Sequence, residues 1–196
     1  MNTKIRTDNE LVNQFIKGDV SSIETLIDRH KDKVFNYILI SVKNKELAED
    51  IFQDTFVKVI KSLLRGKYKD DGKFVSWVIR IAHNLIIDYY RKSNQMNIRS
   101  NDDYDYDIFN SRNLIDDNNI EQEMVNEQVM KEVRMLIEEL PDDQKEVIML
   151  RHYGGLSFKE IADQTGVSIN TALGRMRYAV LNMRKLIKEK NLSLTM

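Results

Sequence analysis

The chain has 196 residues, 42% of them hydrophobic, with 30 basic and 31 acidic side chains and a formal net charge of −1. This size and composition allow one large packed domain or two small ones. Cysteine is absent, which excludes disulfides and thiolate metal sites. The first ten residues lack the apolar core of an export signal, and no stretch approaches the roughly 20 apolar residues of a membrane span. We therefore expect a cytoplasmic protein.

The distribution of apolar residues predicts the fold class. Seven glycines and one proline, with many Leu, Ile, Lys and Glu residues and no two-residue alternation, indicate a mostly helical protein. Helical periodicity runs through residues 1–92 and again through 121–196. Residues 93–120 carry six aspartates against two arginines and no sustained apolar stripe. We predict an all-α protein of two small helical domains joined by an acidic flexible linker.

The first domain contains two helices with clear faces. One helix has an apolar face from Ile23 to Ile38, with His30 at the edge of the core. The next begins near Lys45 and is expected to bury Leu47, Ile51, Thr55, Val59 and Leu63, or a neighbouring set of residues. Its exposed flank then comprises Glu49, Asp50, Gln53 and Asp54. Exposed carboxylates are usually only a solvated face, and the alternative is a docking surface.

The third informative helix spans residues 74–92 and has two stripes. The predicted apolar stripe is Val78, Ile81, Ala82, Leu85 and Tyr89. The second stripe is Trp77, Arg80, Asn84, Asp88 and Arg91. An exposed tryptophan beside arginine and asparagine can stack on a base and hydrogen-bond its edge, which suits unpaired nucleotides. Periodicity alone slightly favours the alternative, that Trp77 is a core residue.

Near the end of the chain, the pattern predicts two helices joined by a tight turn. Ser157 and Glu160 form a capping box, Gly166 permits the left-handed turn, and Ser168 caps the second helix. The second helix has an apolar stripe of Ala172, Met176, Ala179, Met183 and Leu186. Its outer face carries Asn170, Thr171, Leu173, Gly174, Arg177, Tyr178 and Arg184. Such a face can enter a DNA major groove.

Local charge supports DNA binding over the alternative of an ordinary packing motif. Residues 166–196 hold six basic side chains against one acidic, whereas residues 121–165 hold five basic against eleven acidic. A basic stretch confined to one helix suits phosphate contacts.

No pattern predicts catalysis. The chain lacks the sequences G-x-x-x-x-G-K, H-E-x-x-H and G-x-S-x-G. Its three histidines, His30, His83 and His152, fall on separate helices, and no carboxylate has a base or metal ligand at a suitable spacing. We predict a protein that is not an enzyme and has no catalytic site, no metal site and no cofactor.

Four motifs together resemble the bacterial sigma factors of the sigma-70 family. They are D-I-F-Q-D-T-F at 50–56, the helix at 74–92, L-P-D-D-Q-K-E-V-I-M-L-R at 140–151, and the helix-turn-helix. The similarity is to the small extracytoplasmic-function (ECF) group, which keeps regions two and four. It implies region two in residues 1–92 and region four in 121–196, and a protein that binds core RNA polymerase and directs promoter-specific initiation.

The resemblance implies roles for particular residues. Glu49, Asp50, Gln53 and Asp54 would dock on the clamp helices of the polymerase beta-prime subunit, and region four would contact the beta flap. Trp77, Arg80, Asn84 and Asp88 would open the minus-ten element and hold its non-template strand, with Arg91 and Lys92 on nearby phosphate. A helix beginning at Leu140-Pro141, with Asp142 and Asp143 in its first turn, would lead into the helix-turn-helix.

The second helix of that motif would recognise the minus-thirty-five element. Arg175, Arg184 and Lys188 would contact phosphates, and Arg177 a guanine edge. Leu173 and Tyr178 depart from the basic residues that the family often has there, so the base preference stays open. Leu173 can touch a thymine methyl, and Gly174 allows a close backbone approach.

The resemblance also implies partners, and it leaves alternatives. An anti-sigma factor is a further candidate partner. The run D-D-Y-D-Y-D at 102–107 is either a mimic of nucleic acid in the polymerase channel or a solvated spacer. Two other functions compete: a stand-alone helix-turn-helix regulator and, more remotely, a nucleic-acid enzyme.

Overall fold

A computed structural model of the chain describes residues 6–69, 71–97 and 132–192. All regular structure in these ranges is helical. The chain divides into two compact units, residues 1–113 and 114–196. The prediction of an all-α protein with two helical domains is confirmed. The predicted acidic linker falls outside the described residues, except for its first five positions, 93–97.

The first unit contains four helices: α1 (Asp8–Ile16), α2 (Val20–Val42), α3 (Lys45–Leu64) and α4 (Phe74–Asn97). Side chains of Thr7, Asp19 and Asn44 accept backbone N–H groups at the starts of α1, α2 and α3. The apolar faces meet in one core, whose fully buried members include Leu11, Leu26, Val34, Ile38, Val59, Leu63, Phe74 and Ile79. The core therefore fixes which face of α3 and α4 remains outside.

α4 differs from its prediction in its buried face and in its length. Its buried side chains are Phe74, Ser76, Val78, Ile79, Ala82, His83 and Ile86, whereas Ile81 and Leu85 of the predicted stripe are only half-buried. Tyr89, predicted to belong to the apolar stripe, is 43% exposed, although it follows the buried Ile86 by only three positions. The helix also continues past Lys92 to Asn97, since no glycine or proline interrupts that stretch.

Polar contacts also join the helices of this unit. Tyr37 Oη lies 2.9 Å from His83 Nδ1, with both side chains buried between α2 and α4. Burial lowers the pKa of His83 to about 4, because the interior disfavours the charged imidazolium. Asp8 at the start of α1 pairs with two residues of α2, through Arg29 Nη1 at 2.6 Å and His30 Nε2 at 2.9 Å. His30 is at the edge of the core, as predicted, with 14% of its side chain exposed.

The second unit also has four helices in its described part: α5 (132–138), α6 (Asp142–His152), α7 (Phe158–Thr165) and α8 (Ile169–Glu189). Its core includes Leu136, Val147, Leu150, Leu156 and Ile161. α6 begins after Pro141 with Asp142 and Asp143 in its first turn, as the sequence predicted. Across the described parts of both units, no helix is long and apolar enough to cross a lipid bilayer.

Candidate nucleic-acid and polymerase surfaces

α7 and α8 form the predicted helix-turn-helix, and hydrogen bonds explain both starts. Ser157 Oγ accepts from the Glu160 amide at 3.3 Å, while Glu160 Oε2 accepts from the Ser157 amide at 2.8 Å. Gly166 ends α7 at φ 68°, and Ser168 Oγ accepts the Thr171 amide at 3.1 Å. The predicted caps and turn are confirmed, and they fix the angle at which α8 leaves α7.

The outer face of α8 is accessible along its length. Leu173 is 43% exposed and Tyr178 is 61% exposed. The other exposed side chains predicted for this face are Asn170, Thr171, Arg177, Arg184 and Lys188. A Cβ atom added at Gly174 would meet no heavy atom within 4 Å, so open space lies over the backbone there. The face therefore offers cationic, amide and apolar groups together, the mixture that contacts both phosphates and base edges.

Arg175 is placed differently from the other basic residues of α8. It follows Ala172 by three positions and precedes Ala179 by four, so it lies beside the two alanines that α8 buries. Its Nε is 3.2 Å from Asp143 Oδ2, and 24% of its side chain is exposed. The family resemblance implied that Arg175 contacts phosphate. In the structure its guanidinium pairs with an acidic side chain of α6.

The predicted polar stripe of α4 lies on one outward face. Asn84, Asp88, Arg91 and Lys92 are exposed, and Arg80 is half-buried. Arg91 Nη1 and Asp88 Oδ1 are 3.9 Å apart, a loose surface pair. Trp77 is half-buried, so it is neither a full core residue nor a free side chain. Its indole contacts the Tyr68 ring with 4.7 Å between centroids and the Phe74 ring with 6.1 Å.

Sequence reasoning missed two residues at this face. Tyr68 lies in the loop between α3 and α4, where no periodicity predicts a direction for the side chain. Ile87 is 42% exposed and follows Asn84 by three positions, so it shares the outward face. The sequence did contain a signal for Ile87, since it is a large apolar residue within the polar stripe. Both side chains add apolar surface beside the indole.

The four side chains predicted as a flank of α3, Glu49, Asp50, Gln53 and Asp54, are all exposed. They lie opposite the buried face formed by Ile51, Thr55, Val59 and Leu63. The same outward side continues toward the end of the helix with Val57 and Leu64, which are 47% and 63% exposed. α3 therefore presents an acidic patch followed by an apolar one.

Family models match both units. The model for Sigma-70 region 2 matches residues 26–95, which include α3 and nearly all of α4. The model for Sigma-70, region 4 matches residues 130–176, which include α6, α7 and the first eight residues of α8. Together the two models cover more than half of the 196 residues.

Similar proteins match over most of their length. The ECF RNA polymerase sigma-E factor of Haemophilus influenzae is 28% identical, covering 94% of this chain and 95% of that protein. The sigma-E factor of Escherichia coli is also 28% identical, with 94% of each chain covered. The RNA polymerase sigma-H factor of Pseudomonas aeruginosa is 25% identical over 86% of this chain and 88% of that protein.

Two solved structures share the fold. CnrH, solved with the cytosolic domain of CnrY, aligns with a TM-score of 0.59 and 21% identity over 93% of this chain and 97% of that one. The sigma factor RpoE of Bartonella quintana, solved with the anti-sigma factor NepR, aligns with a TM-score of 0.60 and 18% identity over 86% of this chain and 98% of that one. With both family models matched in order and full-length relatives named as sigma factors, the chain belongs to the sigma-70 family, in the ECF group of promoter-directing sigma factors.

Proposed function

We propose that the chain binds core RNA polymerase and directs it to promoters through three surfaces. α4 holds the opened minus-ten strand, α8 recognises the minus-thirty-five duplex, and α3 docks on the polymerase. The observation that carries the proposal is the difference between the outward faces of α4 and α8. One presents an indole with amide and charged groups, and the other presents a cationic helix after a tight turn.

The composition of the α4 face suits single-stranded DNA. Unpaired bases stack on aromatic rings, and each such contact contributes about 1–3 kcal/mol. Trp77 supplies the ring, and Asn84, seven positions later on the same face, supplies hydrogen bonds to a base edge. Arg80 and Asp88 flank these groups, while Arg91 and Lys92 extend cationic charge to the following phosphates. Capture of an extruded base offsets an unpairing cost of a few kcal/mol.

The composition of the α8 face suits duplex DNA. Arg184 and Lys188 lie at the exposed, C-terminal part of the helix, where they contact phosphates. Arg177 is two turns after Asn170 on the same side, so both reach base edges when the helix enters the groove. Leu173 provides apolar contact for a thymine methyl, and Gly174 lets the backbone approach.

Core polymerase binding is assigned to α3. Glu49, Asp50, Gln53 and Asp54 form an exposed acidic patch that meets the beta-prime clamp helices, and the second unit meets the beta flap. The CnrH and RpoE structures were each solved with a second protein, in the RpoE case one named as an anti-sigma factor, which supports an anti-sigma factor as a further partner of this chain. Because its work is on polymerase and chromosomal DNA, the chain acts in the cytoplasm and itself needs no catalytic residue.

Run-off transcription tests the function. Core polymerase, with and without the purified chain, is given a promoter fragment selected by the mixture from random duplexes. We expect transcripts of defined length only when both proteins are present. If the chain alone binds a repeated half-site tightly as a dimer and adds no initiation, it is a stand-alone regulator and the proposal is wrong.

A further inference from the structure

α8 packs against the rest of the second unit through small or half-buried apolar side chains. Its fully buried residues are two alanines, Ala172 and Ala179, and Met176, Met183 and Leu186 of the apolar stripe are half-buried. Alanine side chains are too small to interlock with a neighbouring helix in one rotation. Apolar packing by these two residues therefore constrains the rotation of α8 weakly, although rotation decides which side chains reach DNA.

Three polar contacts connect the inner side of α8 to residues 139–144. Arg175 Nε lies 3.2 Å from Asp143 Oδ2, and Asn182 Nδ2 donates to Gln144 Oε1 at 2.9 Å. Lys190 Nζ lies 2.6 Å from Glu139 Oε1. Arg175, Asn182 and the C-cap residue Lys190 are seven and eight positions apart, about two helical turns each, so they lie on one side of the helix. This row of contacts spans most of α8.

Arg175 also interacts with a second acidic group of α6. Its guanidinium faces Asp143, and it also lies close to Glu146 on the same helix α6. Burial raises the pKa of Glu146, and the positive charge of Arg175 opposes that rise while Asp143 and Asp142 add to it. Arg175 thus offsets the mutual repulsion of the acidic groups on α6. The 24% exposure of its side chain leaves it oriented toward the protein.

We infer that Arg175 is a positioning residue for recognition of the minus-thirty-five element and does not contact phosphate. Its pair with Asp143 sets the rotation of α8, which presents Asn170 and Arg177 to the bases. The contacts of Asn182 and Lys190 hold the rest of the helix in the same register. This inference rests on the proposed function of α8.

The test measures binding of reconstituted holoenzyme to a duplex that carries the selected minus-thirty-five element, and to a scrambled duplex, over a range of salt concentrations. The variants are Arg175→Met and Asp143→Asn, alone and together, with Arg184→Gln as the matched control. Removal of one cation that neutralises a phosphate lowers the slope of log affinity against log salt by about 0.9. Arg184→Gln should lower the slope by that amount and weaken both duplexes alike.

For the positioning role, we expect Arg175→Met and Asp143→Asn each to weaken the selected duplex by about 1.5- to fivefold, the range for a partly exposed ion pair. The scrambled duplex and the salt slope should stay unchanged, and the double variant should be no worse than either single one. Asp143→Asn is the decisive variant. If Asp143 had no positioning role, removal of its negative charge near DNA would tighten binding.

A phosphate role for Arg175 gives the opposite pattern. Arg175→Met would then lower the salt slope as Arg184→Gln does, while Asp143→Asn would leave duplex affinity unchanged or increase it. Either result overturns the inference. The inference is also overturned if neither variant has an effect. Should Arg175→Met fail to fold, Asp143→Asn decides by itself, since its side chain is 48% exposed. If Arg184→Gln leaves the salt slope unchanged, the assignment of α8 to DNA fails instead.

Discussion

The ring centroid of Tyr68, in the loop after α3, lies 4.7 Å from the ring centroid of Trp77 in the second turn of α4. The planes of the two rings are inclined at 50°. Phe74 contacts both rings, at 5.9 Å and 6.1 Å between centroids. The indole is therefore supported from the loop side and stays half-exposed on the outward face of α4. A base that stacks on Trp77 meets a ring already held in place.

Loss of this aromatic pair should impair promoter opening. We expect Trp77→Ala to make the free energy of open-complex formation less favourable by the contribution of one base stack, about 1–3 kcal/mol. Tyr68→Leu should cost less, about 0.5–1.5 kcal/mol, because it removes only the ring that supports the indole. Fluorescence of 2-aminopurine in the minus-ten element measures opening. Tyr89→Ala, an exposed aromatic elsewhere on α4, should open normally; an equal loss in that variant would contradict the assignment.

The acidic patch of α3 should control affinity for core polymerase. Asp50→Asn combined with Asp54→Asn should weaken core binding about three- to tenfold, chiefly through slower association, because exposed interfacial charges act mainly on the encounter. Stability should change by less than about 0.5 kcal/mol, since both side chains are exposed. Surface plasmon resonance with immobilised core gives both rate constants.

Asp32→Asn on α2 is the control for the α3 variants. Asp32 is also exposed, and its substitution removes one negative charge away from the patch. It should bind core as the unchanged chain does. Equal weakening by Asp32→Asn would mean that net charge matters and the α3 surface does not.

Gly174 offers a test in which stability and DNA binding move in opposite directions. An added Cβ meets nothing within 4 Å, so Gly174→Ala should stabilise the second unit by about 0.5–1 kcal/mol through higher helix propensity. The same methyl should weaken the minus-thirty-five complex if the backbone approaches DNA there. Urea unfolding and duplex binding provide the two measurements. Gly166→Ala, at φ +68°, should destabilise instead. Unchanged duplex affinity of Gly174→Ala would show that DNA does not approach that position.

Stability should depend on pH through His83. Burial lowers its folded pKa to about 4, below the ordinary value of 6.5. Between these values the unfolded chain binds more protons than the folded chain, so the contribution of His83 is complete above pH 6.5 and is lost as the pH falls toward 4. The loss amounts to about 3 kcal/mol at most.

Urea unfolding of the unchanged chain and of His83→Gln, measured from pH 7.5 to pH 4.5, tests this dependence. The difference in unfolding free energy between the two should shrink steadily below pH 6.5, because the variant lacks the titrating group. His152→Gln, at an exposed histidine, is the control and should follow the unchanged chain. Parallel curves for the unchanged chain and His83→Gln would show that His83 titrates normally.

The features that the sequence predicted correctly depend on residues close together in the chain. The capping box at Ser157, the turn at Gly166 and the start at Ser168 depend on residues within a few positions of one another, and all three are confirmed. The outward stripe of α4 also followed from periodicity, because Asn84 and Asp88 are exposed.

What the sequence missed depends on tertiary contacts. Tyr68 reaches Trp77 from a loop, and Arg175 meets Asp143 from a different helix. Tyr89 fits the apolar period of α4, yet it is 43% exposed. Periodicity describes one helix at a time, so it carries no information on where a neighbouring element ends or which side chain it supplies.

The most direct test of the division of labour between α4 and α8 compares Asn84→Ala with Arg177→Ala in holoenzyme on one promoter. Closed-complex binding is measured by footprinting at low temperature, and strand opening by permanganate reactivity of minus-ten thymines on warming. We expect Arg177→Ala to weaken closed binding by about 1–3 kcal/mol and Asn84→Ala to bind the duplex normally yet open poorly. Equal loss of both steps in both variants would contradict the account.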